Sequence, residues 1–205
     1  MLRLTLLILI ALTDALAQTG EPPLSPGAKA RYSLSSSVGP VALVEMAAYA
    51  GVLQALPTPQ EWRQGAAGYG KRYASATGAN AIRQVFAFGL EVPLKEDPRY
   101  FRSQRRGVWP RLGHALAATV VTRTDAGHSR FAFSGVSSAY GAAFLSNQWY
   151  PDRLNTVGQG FLQGTATLGL DALGNIITEF WPKPRRKLPK TDGTPPTVAA
   201  SATVQ

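Results

Sequence analysis

Residues 133–151 read FSGVSSAYGAAFLSNQWYP. Ser134, Ser138, Ala142 and Ser146 recur at every fourth position, with Gly135, Ala139 and Ala143 beside them. On a helix this spacing puts small side chains along one face, and Pro151 stops the segment. An earlier segment repeats the device with Ala66, Gly70, Ala74 and Gly78, and a later one with Gly160 and Gly164, near Gly158, Gly169 and Gly174. Each helical glycine costs about 1 kcal/mol relative to alanine. Close approach of helix axes, with the dispersion contacts it brings, offsets that cost. The ladders therefore predict rods of helix packed almost backbone to backbone.

Working outward, punctuation divides residues 37–182 into five helices. The first runs from Pro40, at the first helical position after Gly39, to Leu56-Pro57. The second opens on Thr58-Pro59-Gln60-Glu61, a capping-box pattern, and ends before Pro93. The third covers Trp109 to about Thr122, followed by an Asp125-Ala126-Gly127 turn. The fourth is Phe133–Tyr150, and the fifth runs from the cap Thr156 to Trp181-Pro182. Alternating β-branched patterning is missing except for a short stretch at 119–122, so the expected class is all-α: one compact bundle of about five helices. Trp62, Tyr69 and Tyr73 share one face, as do Leu162, Ala166, Leu170, Leu173, Ile177 and Trp181. These stripes read as the core.

The flanks differ in kind. Residues 1–17 have the order of a secretory signal peptide: Arg3, an apolar run from Leu4 to Leu12, and an Ala15-Leu16-Ala17 cleavage site. Residues 18–36, with three prolines and few apolar residues, read as a flexible linker. Residues 183–205 begin basic (Lys183, Arg185, Arg186, Lys187, Lys190) and end Thr/Pro/Ala-rich, a composition expected to be disordered. The five cations of this tail suit an anionic membrane surface or serve as a solubilising charge.

Of the 205 residues, 45% are hydrophobic and 16% charged, with a net charge of +9 and no cysteine. The absence of cysteine excludes a disulfide scaffold, a thiolate metal site, a cysteine nucleophile and a lipobox. A cysteine-free exported chain without an Asn-x-Ser/Thr sequon fits a bacterial periplasm or envelope. Residues 131–150 carry no charge and have aromatics at both ends, as a membrane span does, but also hold four serines, one Asn and one Gln. Glu45, Asp171 and Glu179 interrupt other segments at about 2.5–3.5 kcal/mol each if centred in a bilayer. Hydropathy therefore favours a soluble or peripheral bundle over a small integral membrane protein.

The densest polar stretch is 95–106. Asp97, Arg99, Tyr100 and Arg102 form a candidate anion- or partner-binding loop, the arginines serving as forks for phosphate or carboxylate; the competing role is a structural turn with Asp97 as cap. The chain has two histidines, His114 and His128, near Arg111 and Asp125. A histidine nucleophile with arginines on the phosphoryl oxygens would use such a set. The triplet Gly127-His128-Ser129 faintly resembles the lipid-phosphatase superfamily, which implies an envelope phosphatase as an alternative function. The usual proline before the glycine, the upstream Lys-x6-Arg-Pro block and the downstream histidine are all missing. Zinc-protease, Walker, dinucleotide-binding and hydrolase-elbow signatures do not occur, and the residues imply neither metal nor cofactor.

A longer resemblance covers about residues 45–187. Glu96-Asp97-Pro98-Arg99-Tyr100-Phe101, Trp109-Pro110-Arg111-Leu112-Gly113-His114-Ala115, Thr122-Arg123-Thr124-Asp125, Asn147-Gln148-Trp149-Tyr150-Pro151 and Glu179-Phe180-Trp181-Pro182 resemble the pattern of a family of small exported bacterial envelope proteins. The family prefers Asp where Lys183 stands here. The resemblance implies an exported protein with one helical domain and implies no activity. The expected role is structural or interactive, at a membrane surface or with an envelope partner; nucleic acid is a poor partner for an exported chain, and the oligomeric state stays open.

Overall fold

The computed structural model describes residues 22–182. The signal-peptide segment 1–17 and the tail with Lys183, Arg185, Arg186, Lys187 and Lys190 lie outside the described residues. The protein is mostly helical: α1 (Pro26–Val38), α2 (Pro40–Ala55), α3 (Gly65–Leu94), α4 (Val108–Ala117), α5 (Phe133–Ser146) and α6 (Val157–Phe180), with short 3-10 turns at Gln60–Trp62, Asn147–Trp149 and Asp152–Leu154. α1 and α2 follow one another across Gly39, so five rods pack together. α3 lies against α1 and α2 on one side and α5 on the other, α5 packs on α6, and α4 packs on α6.

Several boundaries depart from expectation. Residues 26–36, expected as flexible linker, belong to α1. The Ser25 side chain accepts from the backbone N–H of Ala28, Pro26 occupies the first turn, and Lys29, Ser33 and Ser37 are buried at helical spacing. A ladder of one lysine and two serines does not register as an apolar face, which is why this helix escapes a hydrophobicity reading. The capping box does not form either. The Thr58 hydroxyl instead donates to the carbonyl of Leu56, and α3 starts at Gly65. Its last turn includes Pro93, two residues before Lys95 closes the helix in the left-handed conformation.

The third expected helix ends early, at Ala117. The chain then builds a small antiparallel sheet, β1 (Glu96–Asp97), β2 (Val121–Thr124) and β3 (Ser129–Phe131), in the order β1-β2-β3. Glu96 pairs with Thr124, and Val121 with Phe131. The Asp125-Ala126-Gly127 turn forms as expected; Gly127 has φ +86°, which a residue with a Cβ adopts only under strain.

The small-residue ladders divide. Ser134, Ser138, Ala142 and Ser146 of α5 are all buried. Gly160 and Gly164 of α6 are buried as well, and each receives an aromatic ring of α5: Phe144 and Tyr140 respectively. Contact is therefore ring against backbone rather than backbone against backbone. Ala66, Gly70 and Ala74 of α3 are exposed, and a Cβ added at Gly70, Gly78, Gly158, Gly169 or Gly174 would meet nothing within 4 Å.

The expected aliphatic core stripe is inverted. Leu162 is 63% exposed, and Leu170, Leu173, Ile177 and Trp181 are also exposed. The buried apolar residues among those described are alanines, such as Ala50, Ala115 and Ala139, whereas Lys29, Arg72, Glu96 and Glu179 are buried. Arg72 shows how a charge is accommodated. Its guanidinium donates to the carbonyls of Thr58, Pro59 and Arg63 and to Gln54 Oε1, at 2.7–2.8 Å, tying the α2–α3 connection to α3. A lysine cannot reproduce this fork. Arg72→Lys is therefore expected to destabilise by about 2 kcal/mol or more, measured as a lowered thermal midpoint.

Among the described residues one helical segment, Pro26–Ala55, is long and apolar enough to cross a membrane, with a mean hydropathy of 1.4 over its best window. A helix of this kind near the N-terminus is also compatible with a signal sequence.

Candidate functional site

Hydrogen bonds between helices fix which residues share a level along the bundle. α1 and α2 run antiparallel to α3: Lys29 Nζ donates to the Glu91 carbonyl, Asn80 Nδ2 to the Ser36 carbonyl, and Tyr69 OH to the Ala47 carbonyl. α6 runs parallel to α3, with Arg83 Nη2 2.5 Å from Asp171 Oδ2. At 1.5 Å per residue, Lys71 and Glu91 stand about 30 Å apart on α3, and by the Arg83–Asp171 level Gln159 and Glu179 stand about as far apart on α6. That span equals the hydrocarbon thickness of a bilayer.

α6 has two contrasting faces along this length. Gln159, Gln163, Thr167, Asp171, Asn175 and Glu179 recur every fourth residue and are all at least partly covered. Asp171 meets Arg83, Asn175 donates to the Ala115 carbonyl, and Glu179 meets Arg111. The exposed positions between them hold Phe161, Leu162, Leu170, Leu173 and Ile177 and carry no charged or amide side chain.

The sheet end of the bundle is knotted by buried acids. Glu179, fully buried, accepts from Tyr100 OH at 2.8 Å and Ser103 N–H at 3.0 Å on Oε2, and from Arg111 Nε at 2.7 Å on Oε1. Arg111 also donates to the Glu179 carbonyl and stacks over Phe180 at 4.6 Å. Burial and the neighbouring carboxylate push the Tyr100 phenol well above its ordinary range, so it remains a donor. Glu96 Oε2 accepts from the backbone N–H and hydroxyl of Ser134, with Arg130 Nε 3.4 Å from Oε1. These acids hold α4, α5, α6 and the sheet together.

The candidate anion loop belongs to this knot. Asp97 accepts from Arg99 N–H and Nε through Oδ1 and from Nη2 through Oδ2 at 2.7 Å; Arg99 also donates to the Pro22 carbonyl. Tyr100 is held by Glu179, and Arg102 donates to the Trp181 carbonyl at 2.9 Å. Asp97 thus does what a turn-forming cap does.

The four phosphoryl-transfer candidates take different partners. His114 Nε2 lies 2.8 Å from the Phe101 carbonyl, Arg111 is on Glu179, Asp125 is 2.8 Å from Lys29 Nζ, and His128 sits in the hairpin turn with its N–H on the Thr124 hydroxyl. None of these hydrogen bonds or ion pairs joins one candidate to another. Among the described residues no group of three His, Asp or Glu side chains could hold a metal ion.

Aromatic residues gather at both ends of the 30 Å span. Trp109 (80% exposed) and Trp181 (65%) stand at the sheet end, and Trp62, Trp149 and Tyr150 at the other, where Trp62 packs on Tyr150 at 5.0 Å. Arg153 pairs with Glu61 at 3.0 Å at that same end and holds its carboxyl below the usual carboxylate range. The sequence reading missed Lys29, Arg72, Glu96 and the polar face of α6 as structural charges. Their four-residue spacing was the available signal for the last. Compared with known proteins, the chain matches no protein-family model, no curated protein and no solved structure.

Proposed function

We propose that this chain is an envelope protein that works embedded in a lipid bilayer, in a structural or interaction role rather than a catalytic one. The two-faced α6 carries the proposal. In water each half-exposed Leu, Ile or Phe forgoes roughly 1 kcal/mol of burial, and a soluble monomer rarely exposes apolar surface of this extent. In lipid that face is at home, and the ladder from Gln159 to Glu179 is turned inward, where intramembrane polar groups pair with one another. Glu45, exposed on α2, comes level with Lys71 at one boundary of the 30 Å span, so it meets headgroups rather than acyl chains. The exposed tryptophans at both ends suit the two interfaces.

Mean hydropathy points the other way because it averages both faces of a helix; α6 loses its signal to side chains that never meet lipid. Alkaline carbonate extraction of membranes carrying the full chain tests the proposal. The protein is expected in the membrane pellet; recovery in the supernatant overturns bilayer embedding.

A further inference from the structure

One side of α3 borders a shallow groove, open along most of its length, of about 720 Å³. Lys71, Ala74, Ser75, Gly78 and Ile82 line it at helical spacing, with Trp62 and Trp149 as walls. The walls are fixed in advance: Trp149 Nε1 donates to Ser75 Oγ at 2.9 Å, and Trp62 rests on Tyr150. The floor is open because a Cβ at Gly78 would meet nothing within 4 Å. From Lys71 to Ile82 the slot runs about 16 Å, roughly half a hydrocarbon core.

We propose that this slot holds one acyl chain of an anionic phospholipid, with the headgroup phosphate against the Lys71 ammonium. The inference rests on the bilayer reading above for the choice of a phospholipid. Its own support is the combination of an apolar slot with a cation at the boundary level. Lys71 is exposed at the mouth, the lining includes no acid, and the neighbouring Arg72 is fully buried and occupied by carbonyls. Tryptophan walls at the mouth match the depth at which such rings sit in a membrane, and the small residues of α3, open rather than packed, leave room for the chain.

Intrinsic fluorescence tests this on the full-length protein in a neutral detergent. The background Trp109→Phe/Trp181→Phe leaves Trp62 and Trp149 as the emitters. The chain is titrated with acyl-brominated phosphatidylglycerol, phosphatidylcholine or free fatty acid. Phosphatidylglycerol is expected to quench saturably, with a half-point at least fivefold below that of phosphatidylcholine. Lys71→Gln should bring the two within twofold, and Gly78→Leu, which fills the slot, should raise the phosphatidylglycerol half-point at least fivefold with an unchanged circular-dichroism spectrum. Equal half-points for the two phospholipids overturn the proposal, as does a lower half-point for the free fatty acid. If Gly78→Leu does not fold, the exposed Lys71→Gln decides alone. The titration needs no bilayer, so its failure is distinct from release by carbonate.

Discussion

Replacing Glu179 by alanine is expected to destabilise the protein by about 3–5 kcal/mol, the cost of breaking a buried ion pair from one side. For a chain of this size that is a drop of roughly 10 °C in the thermal midpoint. The carboxylate receives Tyr100, Ser103 and Arg111 from two different segments, and it is fully buried. Alanine leaves all three donors without their acceptor and strands the Arg111 charge beside Phe180. Glu179→Gln keeps an acceptor oxygen and should lose less. Arg111→Met in the Glu179→Ala background should recover part of the loss, because the stranded charge goes with it. Thermal unfolding in detergent, followed by circular dichroism, measures all three. A loss under about 1 kcal/mol for Glu179→Ala would falsify the assignment of Glu179 as the knot of the sheet end.

The second large effect separates glycines that look alike in the sequence. Gly160→Ala and Gly164→Ala are each expected to destabilise by about 1–3 kcal/mol, the range for overpacking. The added methyl at 160 would lie 2.5 Å from Phe144, and at 164 it would run into the ring of Tyr140. Gly169→Ala and Gly174→Ala are expected to stabilise by up to about 1 kcal/mol, since the new methyl meets nothing within 4 Å and the helix gains propensity. The same chemical change on one helix thus has opposite signs. Equal effects at all four positions would show that α6 does not pack on α5 through Gly160 and Gly164.

The small-residue argument survives on α5 and at Gly160 and Gly164, and fails on α3. Spacing alone put Ala66, Gly70, Ala74 and Gly78 on one face, but it does not say whether a face is narrow because a helix lies there or because a slot does. The loop at 95–106 was legible as the densest polar stretch, and within it Arg99 serves the Asp97 carboxylate and the Pro22 carbonyl, and Arg102 the Trp181 carbonyl. A guanidinium that binds a ligand and one that ties a turn have the same composition.

The start of α2, the end of α5 and both ends of α6 followed from the sequence by itself, because Pro40, Pro151, Thr156 and Pro182 act on the backbone within a few residues of where they stand; α1, the start of α3 and the end of α4 did not. The all-α class and those helix ends rest on such local terms. Which face of α6 turns inward was decided only by the tertiary structure. Leu162, Leu170, Leu173 and Ile177 form an apolar stripe either way, and Gln159, Asp171, Asn175 and Glu179 a polar one. Arg83, the Ala115 carbonyl and Arg111, distant in the chain, claim the polar stripe and leave the apolar one outside. A helix period records that two faces differ; the partners that choose between them are set by packing, where a buried charge without a partner costs more than an exposed leucine.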